Sequence, residues 1–209
     1  ARARISKAGR RVAHVLAEKL VIQNADGSPH RIRPFWFHDG FVPDFSNPAL
    51  ESWWFARRRY LIDELGVDGF KTDGAEHIWG ADLSAADGSR GADLINRFPN
   101  LYEAAYARFA GPQRVLFSRA GYTGAQAFST HWAGDENSTF AAFRHSITAG
   151  LTAGASGFTF WGWDIGGFGG DLPTAELYLR ATAMATFCPI MQYHSEYNPQ
   201  RHPSRDRTP

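Results

Sequence analysis

The sequence has 209 residues, of which 44% are hydrophobic and seven are tryptophan, and this composition is typical of a folded chain with a sizeable core. Lysine and arginine (22) nearly balance aspartate and glutamate (21), so the net charge of +1 favours neither nucleic acid nor a membrane surface as a partner. The single cysteine, Cys188, excludes a disulfide within this sequence, and no apolar run approaches the roughly 18 residues of a membrane-spanning helix.

The first third of the chain predicts a helix, a strand and a second helix. Apolar residues at helical spacing predict a helix over Ile5–Leu20, and a strand is expected at Ile32–Phe37. Asn47 is a typical N-cap residue and Pro48 suits the first helical position. The helix that they begin is expected to continue without a break to Gly66, because glycine commonly ends helices.

The rest of the chain alternates short apolar segments with helical patterns. The predicted strands are Val67–Phe70, Val115–Ser118, Ser129–Trp132 and Phe158–Trp161, followed by a last apolar piece around Ile190. The predicted helices are Leu94–Phe109, Ser138–Ala153 and Pro173–Phe187. About six strands, most of them separated by helices, are typical of a parallel sheet with helical crossovers.

Most predicted strands end in a polar or aromatic cluster, such as KTDGAE, SRAG, HWAGD and WGWDIGG. The active sites of (β/α)₈ barrels are built at the carboxyl ends of the strands, so this placement favours a TIM barrel over an open doubly wound sheet. Such a barrel usually takes roughly 250 residues. We therefore expect residues 1–209 to form one partial barrel domain with about six of the eight βα units.

Two aspartates follow predicted strands that are not neighbours in the chain. Asp73 ends one of them, and Asp135 in HWAGD follows a strand two further on. Retaining glycosidases use two carboxylates ~5 to 5.5 Å apart, one as nucleophile and one as acid and base. For either aspartate alone, a turn or capping role is the more common explanation.

Several motifs occur in the order and at the intervals of a known family. The segments GVDGFKTDGAE, FSRAGYTGAQ, HWAGD, FWGWDIGGF and FCPIMQYHSE, together with PDFSNP before two tryptophans, resemble the catalytic domain of glycoside hydrolase family 31. This is the α-glucosidase and α-xylosidase group. The resemblance covers nearly the whole chain, and it implies a (β/α)₈ barrel with flanking β domains that lie outside this sequence.

The resemblance also implies roles for individual residues. It makes Asp73 the nucleophile that forms a covalent glycosyl intermediate, and Asp135 the general acid and base. It places in the sugar pocket Lys71, Arg119, Trp132, Phe168 and His194, and less securely Trp36 and Asp164. It implies no cofactor and no metal, although Asp73, Glu76 and His77 could otherwise be considered as metal ligands. A structural salt bridge for Arg119 and a core position for His194 remain alternatives.

The expected substrate is an oligosaccharide or another α-glycoside, with an exo-acting α-glucosidase as the preferred activity and transglycosylation through the same intermediate. Gly74 and Ala75 stand where many family members carry a bulky residue, so α-galactosidase and α-xylosidase remain alternatives. An alternative of another class is a non-catalytic carbohydrate-binding fragment. Because an incomplete barrel exposes sheet edges and lacks its flanking domains, the isolated 209-residue chain is expected to be poorly stable and weakly active or inactive.

Overall fold

The computed structural model describes residues 10–32 and 40–196, and the chain divides into two compact units, residues 1–129 and residues 130–209. The first unit contains α1 (Arg10–Ala17), α2 (Pro48–Ala56), α3 (Arg59–Asp63), β1 (Gly69–Thr72), α4 (Gly91–Ala110), β2 (Val115–Ser118) and a short 3₁₀ helix, Ala125–Ala127. The second unit contains β3 (Thr130–Trp132), α5 (Phe140–Ala155), β4 (Trp161–Gly162) and α6 (Ala175–Ala185).

Each unit holds one parallel pair of strands joined by a helix. In the first unit, β1 pairs with β2 so that Gly69 lies opposite Val115 and Thr72 opposite Ser118, and α4 connects the two strands. In the second unit, β3 pairs with β4 through α5, with Trp132 opposite Gly162. This strand–helix–strand arrangement is the repeating element of the predicted barrel.

The core of the first unit lies along one face of α4. The buried residues of this helix recur at helical spacing, which places them on the side that contacts β1 and β2; they include Leu94, Phe98, Tyr102, Tyr106 and Phe109. Trp54 of α2 is 1% exposed, and its indole Nε1 donates a hydrogen bond to the Tyr106 hydroxyl at 3.0 Å. This bond satisfies the one polar atom of a large buried side chain.

The predicted helix from Pro48 to Gly66 was wrong in one respect, because the structure divides it into α2 and α3. Asn47 caps α2 as predicted, since its side chain accepts a hydrogen bond from the amide of Ala49 at 2.9 Å. At the other end of α2, the Arg57 and Arg58 side chains fold back and bind the carbonyl oxygens of Trp53 and Trp54 at 2.7 and 2.8 Å. Each guanidinium also lies over the adjacent indole, 4.1 and 3.6 Å from the ring centroids. These contacts end α2 before the chain resumes in α3.

A smaller core fills the second unit. Phe143 of α5 stacks on Trp163 with ring centroids 4.9 Å apart and an interplanar angle of 9°. Gly150 of α5 lies against Trp161, and a Cβ at this position would be 2.8 Å from two atoms of the indole ring. Leu177, Ala181 and Ala185 bring the buried face of α6 to the same cluster.

The strand predictions were accurate for β2 and displaced elsewhere. β1 begins at Gly69, two residues later than predicted, so that Lys71 and Thr72 belong to the strand. β4 begins at Trp161, because the amide of Phe158 instead donates to Ala153 and closes the end of α5. The segment around Ile190 forms only an isolated bridge at Gln192, and most of the predicted Ile32–Phe37 strand lies outside the described residues.

The first predicted helix is described only in part. α1 ends at Ala17 rather than Leu20, because Lys19 has a φ of 49°, in the left-handed region that terminates helices. None of the helices within 10–32 and 40–196 combines the length and the apolar character that crossing a bilayer requires.

Candidate active site

Asp73 is the first residue after β1, and the backbone turns sharply just beyond it. Gly74 has a φ of 92° and Ala75 a φ of 87°, a conformation that residues with a Cβ rarely adopt. Ala75 is only 2% exposed, so the surrounding packing holds it in place. Backbone strain of this kind concentrates at functional sites. The turn therefore fixes the backbone that carries the Asp73 carboxylate.

A single guanidinium joins Asp73 to Glu76. The Nη1 atom of Arg119 lies 3.2 Å from Oδ1 of Asp73. On its other edge, Nε and Nη2 donate to the two carboxylate oxygens of Glu76 at 2.7 and 3.2 Å. The Arg119 side chain is 13% exposed, so water screens these charges less than at the surface. The arrangement places Arg119 at the centre of a three-residue charged cluster.

The strand register explains why these residues meet. Thr72 and Ser118 are paired across β1 and β2, and their hydroxyl groups hydrogen-bond each other. Asp73 and Arg119 each follow one of these partners, so both side chains start from the carboxyl ends of adjacent parallel strands. The sequence prediction that both residues stand at strand ends is confirmed, while the ion pair between them follows from the register.

One further contact involves the Asp73 backbone, and another involves Lys71 of β1. Tyr102 of α4 donates a long hydrogen bond of 3.5 Å from its hydroxyl to the Asp73 carbonyl oxygen. Complete burial raises the pKa of Tyr102 well above its usual 10.0, which keeps the hydroxyl protonated as a donor. Lys71 lies on β1 with its Nζ 5.5 Å from the ring centroid of Phe117, its partner on β2.

His77 is a buried histidine close to Asp73, Glu76 and Arg119. It is 1% exposed, and burial lowers its pKa below the usual 6.5, opposed by the nearby Glu76 carboxylate. The ring Nε2 of His30 lies 3.1 Å from the carbonyl oxygen of His77. In the part of the chain that the structure describes, no three histidine, cysteine, aspartate or glutamate side chains converge in a way that could hold a metal ion.

The second unit carries Trp132 and Asp135 just after β3. Trp132 is the last residue of the strand and is 3% exposed. The chain then turns at Gly134, which has a φ of 96°, and Asp135 is exposed to solvent beyond this turn. An exposed carboxyl at a strand end is accessible to a substrate.

The glycine-rich segment 166–170 is bound to the residues that follow Asp135. The amides of Phe168 and Gly169 both donate to the Glu136 carbonyl oxygen, at 2.7 and 3.1 Å. The Phe168 carbonyl accepts in turn from the amide of Glu196 at 3.0 Å, and the rings of Phe168 and His194 lie 5.1 Å apart. Backbone hydrogen bonds thus connect the segment that carries Phe168 with those that carry Asp135 and His194.

Asp164 and Trp36 are the two less secure predictions for the sugar pocket. Asp164 is 0% exposed, and Gln192 donates to its Oδ1 at 2.7 Å. A substrate role for Asp164 stays a prediction, and Trp36 lies outside the described residues.

The contact between Tyr102 and Asp73 is not predicted by the sequence. The spacing of Tyr102 from Phe98 and Tyr106 on α4 predicts burial but does not indicate the hydrogen bond to the Asp73 carbonyl. The structure brings together Asp73 and Arg119 in the first unit, and Phe168 and His194 in the second. The approach of Asp73 to Asp135 remains a prediction.

Comparisons with known proteins identify relatives along almost the whole chain. Residues 3–207 match the family model described as "Glycosyl hydrolases family 31 TIM-barrel domain". The chain is 53% identical over 200 residues to the 1,3-alpha-isomaltosidase of Kribbella flavida, covering 94% of this chain and 28% of the relative. It is 44% identical over 201 residues to the isomaltosyltransferase of Sporosarcina globispora, covering 94% of this chain and 18% of the relative.

Solved structures give the same result. The cycloalternan-degrading enzyme from Trueperella pyogenes matches with a TM-score of 0.90 and 48% identity, over 100% of this chain and 31% of that one. Structures of the same enzyme in complex with a covalent intermediate and with isomaltose also match with a TM-score of 0.90. The chain spans less than a third of the length of these relatives.

Proposed function

The chain belongs to glycoside hydrolase family 31, and on this premise we propose that it carries the catalytic residues of a retaining α-glycosidase that acts on α-linked gluco-oligosaccharides. The proposal rests chiefly on the ion pair between Arg119 and Asp73 at the carboxyl end of β1. In a barrel enzyme this end of the strands is where the chemistry takes place.

In the first step, the Asp73 carboxylate attacks the anomeric carbon of the bound sugar. The bond between this carbon and the leaving-group oxygen breaks, and Asp135 donates its proton to that oxygen. The product is a sugar joined to Asp73 by an ester bond of β configuration. The structure named as a covalent intermediate of the Trueperella pyogenes enzyme supports a mechanism of this kind for a relative.

In the second step, Asp135 acts as a base. Its carboxylate accepts a proton from water, the water oxygen attacks the anomeric carbon, and the ester bond to Asp73 breaks. Two inversions leave the product in the original α configuration. A sugar hydroxyl in place of water gives transglycosylation by the same steps.

Arg119 orients the nucleophile for the attack. Oδ1 of Asp73 is buried against the guanidinium, whereas the Asp73 side chain as a whole is 25% exposed. We therefore assign Oδ2 as the attacking oxygen. Because Glu76 binds the opposite edge of the guanidinium, the position of Arg119 is set from both sides, and orientation of a reacting group in this way lowers the entropic cost of reaction.

The transferred group is proposed to be an isomaltosyl unit, two glucose rings joined by an α-1,6 bond. The relatives at 53% and 44% identity are named isomaltosidase and isomaltosyltransferase. This donor is one ring longer than that of the exo-acting α-glucosidase expected from the sequence. Gly74 and Ala75, which carry little or no side chain beside the nucleophile, are compatible with a donor longer than one ring.

Trapping with a fluorinated glycosyl fluoride tests the mechanism on the full-length protein. The electronegative fluorine slows both steps, but the activated leaving group lets the ester accumulate. Peptide mapping is expected to find the label on Asp73, and D73N, the matched control, is expected to remain unlabelled. A label on another residue, or a first product of β configuration by NMR, would contradict the proposal.

A further inference from the structure

A cleft lies beside the charged cluster of Asp73, Glu76 and Arg119 in the first unit. It has a volume of about 430 Å³, within the range typical of small-molecule sites. We call this space the Trp79 cleft. Its lining includes Glu76, Trp79, Ile95, Asn96, Arg119 and Gly121.

The cleft combines an apolar platform with a polar rim. The side chains of Trp79 and Ile95 are 42% and 56% exposed, so their apolar surfaces are accessible to a ligand. Asn96 provides an amide that both donates and accepts hydrogen bonds, and Glu76 provides a carboxylate. A pyranose ring has the complementary surface, with an apolar face of C–H groups and a periphery of hydroxyls.

Contacts with buried parts of the first unit support the Trp79 and Ile95 side chains. The Trp79 ring lies 6.4 Å from the ring of His77, which is itself 1% exposed. Ile95 and Asn96 belong to the first turns of α4, whose buried face packs on β1 and β2. A binding surface on such supports loses little conformational entropy when a ligand binds.

Arg119 connects this cleft with the proposed nucleophile. Its Nη1 contacts Asp73, while its Nε and Nη2 bind Glu76, which lines the cleft. One guanidinium therefore contacts both the proposed nucleophile and a carboxylate that lines the Trp79 cleft.

We propose that the Trp79 cleft binds the second pyranose ring of the donor, the ring linked on the non-reducing side to the sugar that reacts at Asp73. The inference rests on the proposed function, which requires space for a two-ring donor. The indole of Trp79 covers the apolar face of this ring, and Asn96 and Glu76 bind its hydroxyls.

Kinetics of the full-length protein with two chromogenic substrates tests this assignment. An aryl α-glucoside supplies one ring and an aryl α-isomaltoside supplies two, with the same leaving group. W79A is expected to lower kcat/KM for the isomaltoside about tenfold, the loss typical of one aromatic anchor, and to change it less than about twofold for the glucoside. W79F is expected to retain most of the activity. Y60A, which removes an aromatic side chain of similar exposure (48%) outside the cleft, is the matched control.

Several outcomes would overturn the inference. Equal losses on both substrates would indicate a structural role for Trp79, and no loss on either would exclude the cleft from binding. If free isomaltose is assayed as a third substrate, a loss confined to its cleavage would place the second ring on the leaving-group side instead.

Binding of isomaltose to full-length D73N, measured by calorimetry, separates this inference from the proposed function. If the wild-type protein hydrolyses neither substrate but W79A still weakens isomaltose binding in D73N, the cleft assignment stands and the hydrolase proposal fails. If hydrolysis is robust and W79A binds isomaltose as well as its parent, the cleft assignment alone fails.

Discussion

Arg119 and Asp73 form an ion pair across the ends of two adjacent parallel strands, with Nη1 3.2 Å from Oδ1. The pair depends on the register that sets Thr72 opposite Ser118. The same guanidinium binds both oxygens of Glu76, so one side chain couples the proposed nucleophile to a carboxylate three residues further along the chain.

The first prediction concerns Glu76. E76Q keeps the size of the side chain but removes the charge that binds Arg119, and we expect kcat of the full-length protein to fall about tenfold, since a hydrogen bond to a charged group is worth about 1.5–3 kcal/mol. E76D is expected to recover part of the loss. Steady-state kinetics with an aryl α-glucoside measures the effect.

The control for E76Q is E51Q. Glu51 also pairs with an arginine, Arg108, but that pair lies at the surface, where the Arg108 side chain is 60% exposed. Exposed pairs contribute about 0–1 kcal/mol to stability, so kcat is expected to stay within about twofold of wild type. A similar loss in both variants would show that Glu76 has no special relation to the nucleophile.

The second prediction concerns Asp135 as the general acid and base. D135A is expected to lower kcat/KM for a natural oligosaccharide by about 10²–10⁴, and by much less for an aryl glycoside whose leaving group needs no proton. Azide, which needs no base to attack, is expected to restore turnover and give an α-glycosyl azide that NMR identifies. D63A, an exposed position on α3, is the control. Failure of azide to increase turnover, or equal losses on both substrates, would count against the role of Asp135.

The third prediction compares two glycines of α5. G150A would place a Cβ 2.8 Å from the Trp161 ring, and we expect it to lower the free energy of unfolding by about 1–3 kcal/mol. G154A meets no atom within 4 Å and is expected to be neutral or to stabilise by up to about 1 kcal/mol, since alanine favours helices over glycine. Thermal unfolding and limited proteolysis of the full-length variants measure both. Equal stability of the two variants would contradict the packing of Gly150 on Trp161.

The fourth prediction concerns pH. Burial lowers the pKa of His77 and of His30 below the usual 6.5, so the folded state favours their neutral forms while the unfolded chain takes up protons near pH 6.5. The stability that these histidines contribute is therefore present above pH 6.5 and is lost as the pH falls through their lower folded values. The unfolding temperature is expected to be nearly constant between about pH 7 and 8 and to fall below about pH 6.5. H77Q is expected to flatten this decline, and an unchanged slope would show that His77 does not cause it.

Local signals predicted much of the fold. The limits of β2, the Asn47 cap, the start of α2 at Pro48 and the helices α4 to α6 follow from capping residues and apolar spacing, which act over a few residues. The break between α2 and α3 was missed, because it arises from arginine side chains that fold onto the preceding indoles rather than from a helix-breaking residue. The limits of β1 and β4 were displaced, because strand ends depend on which partner residues are available for pairing.

The sequence by itself determined the family and indicated the candidate catalytic residues, because ordered motifs such as GVDGFKTDGAE and HWAGD contain the residue types that the chemistry needs. Only the tertiary structure decided that Arg119 binds Asp73 and Glu76 together and that Trp79 stands beside them in an open cleft. The physical reason is range. Capping and periodicity operate between near neighbours, whereas the meeting of Asp73 and Arg119 depends on the hydrogen-bonded register of two strands with a 20-residue helix between them.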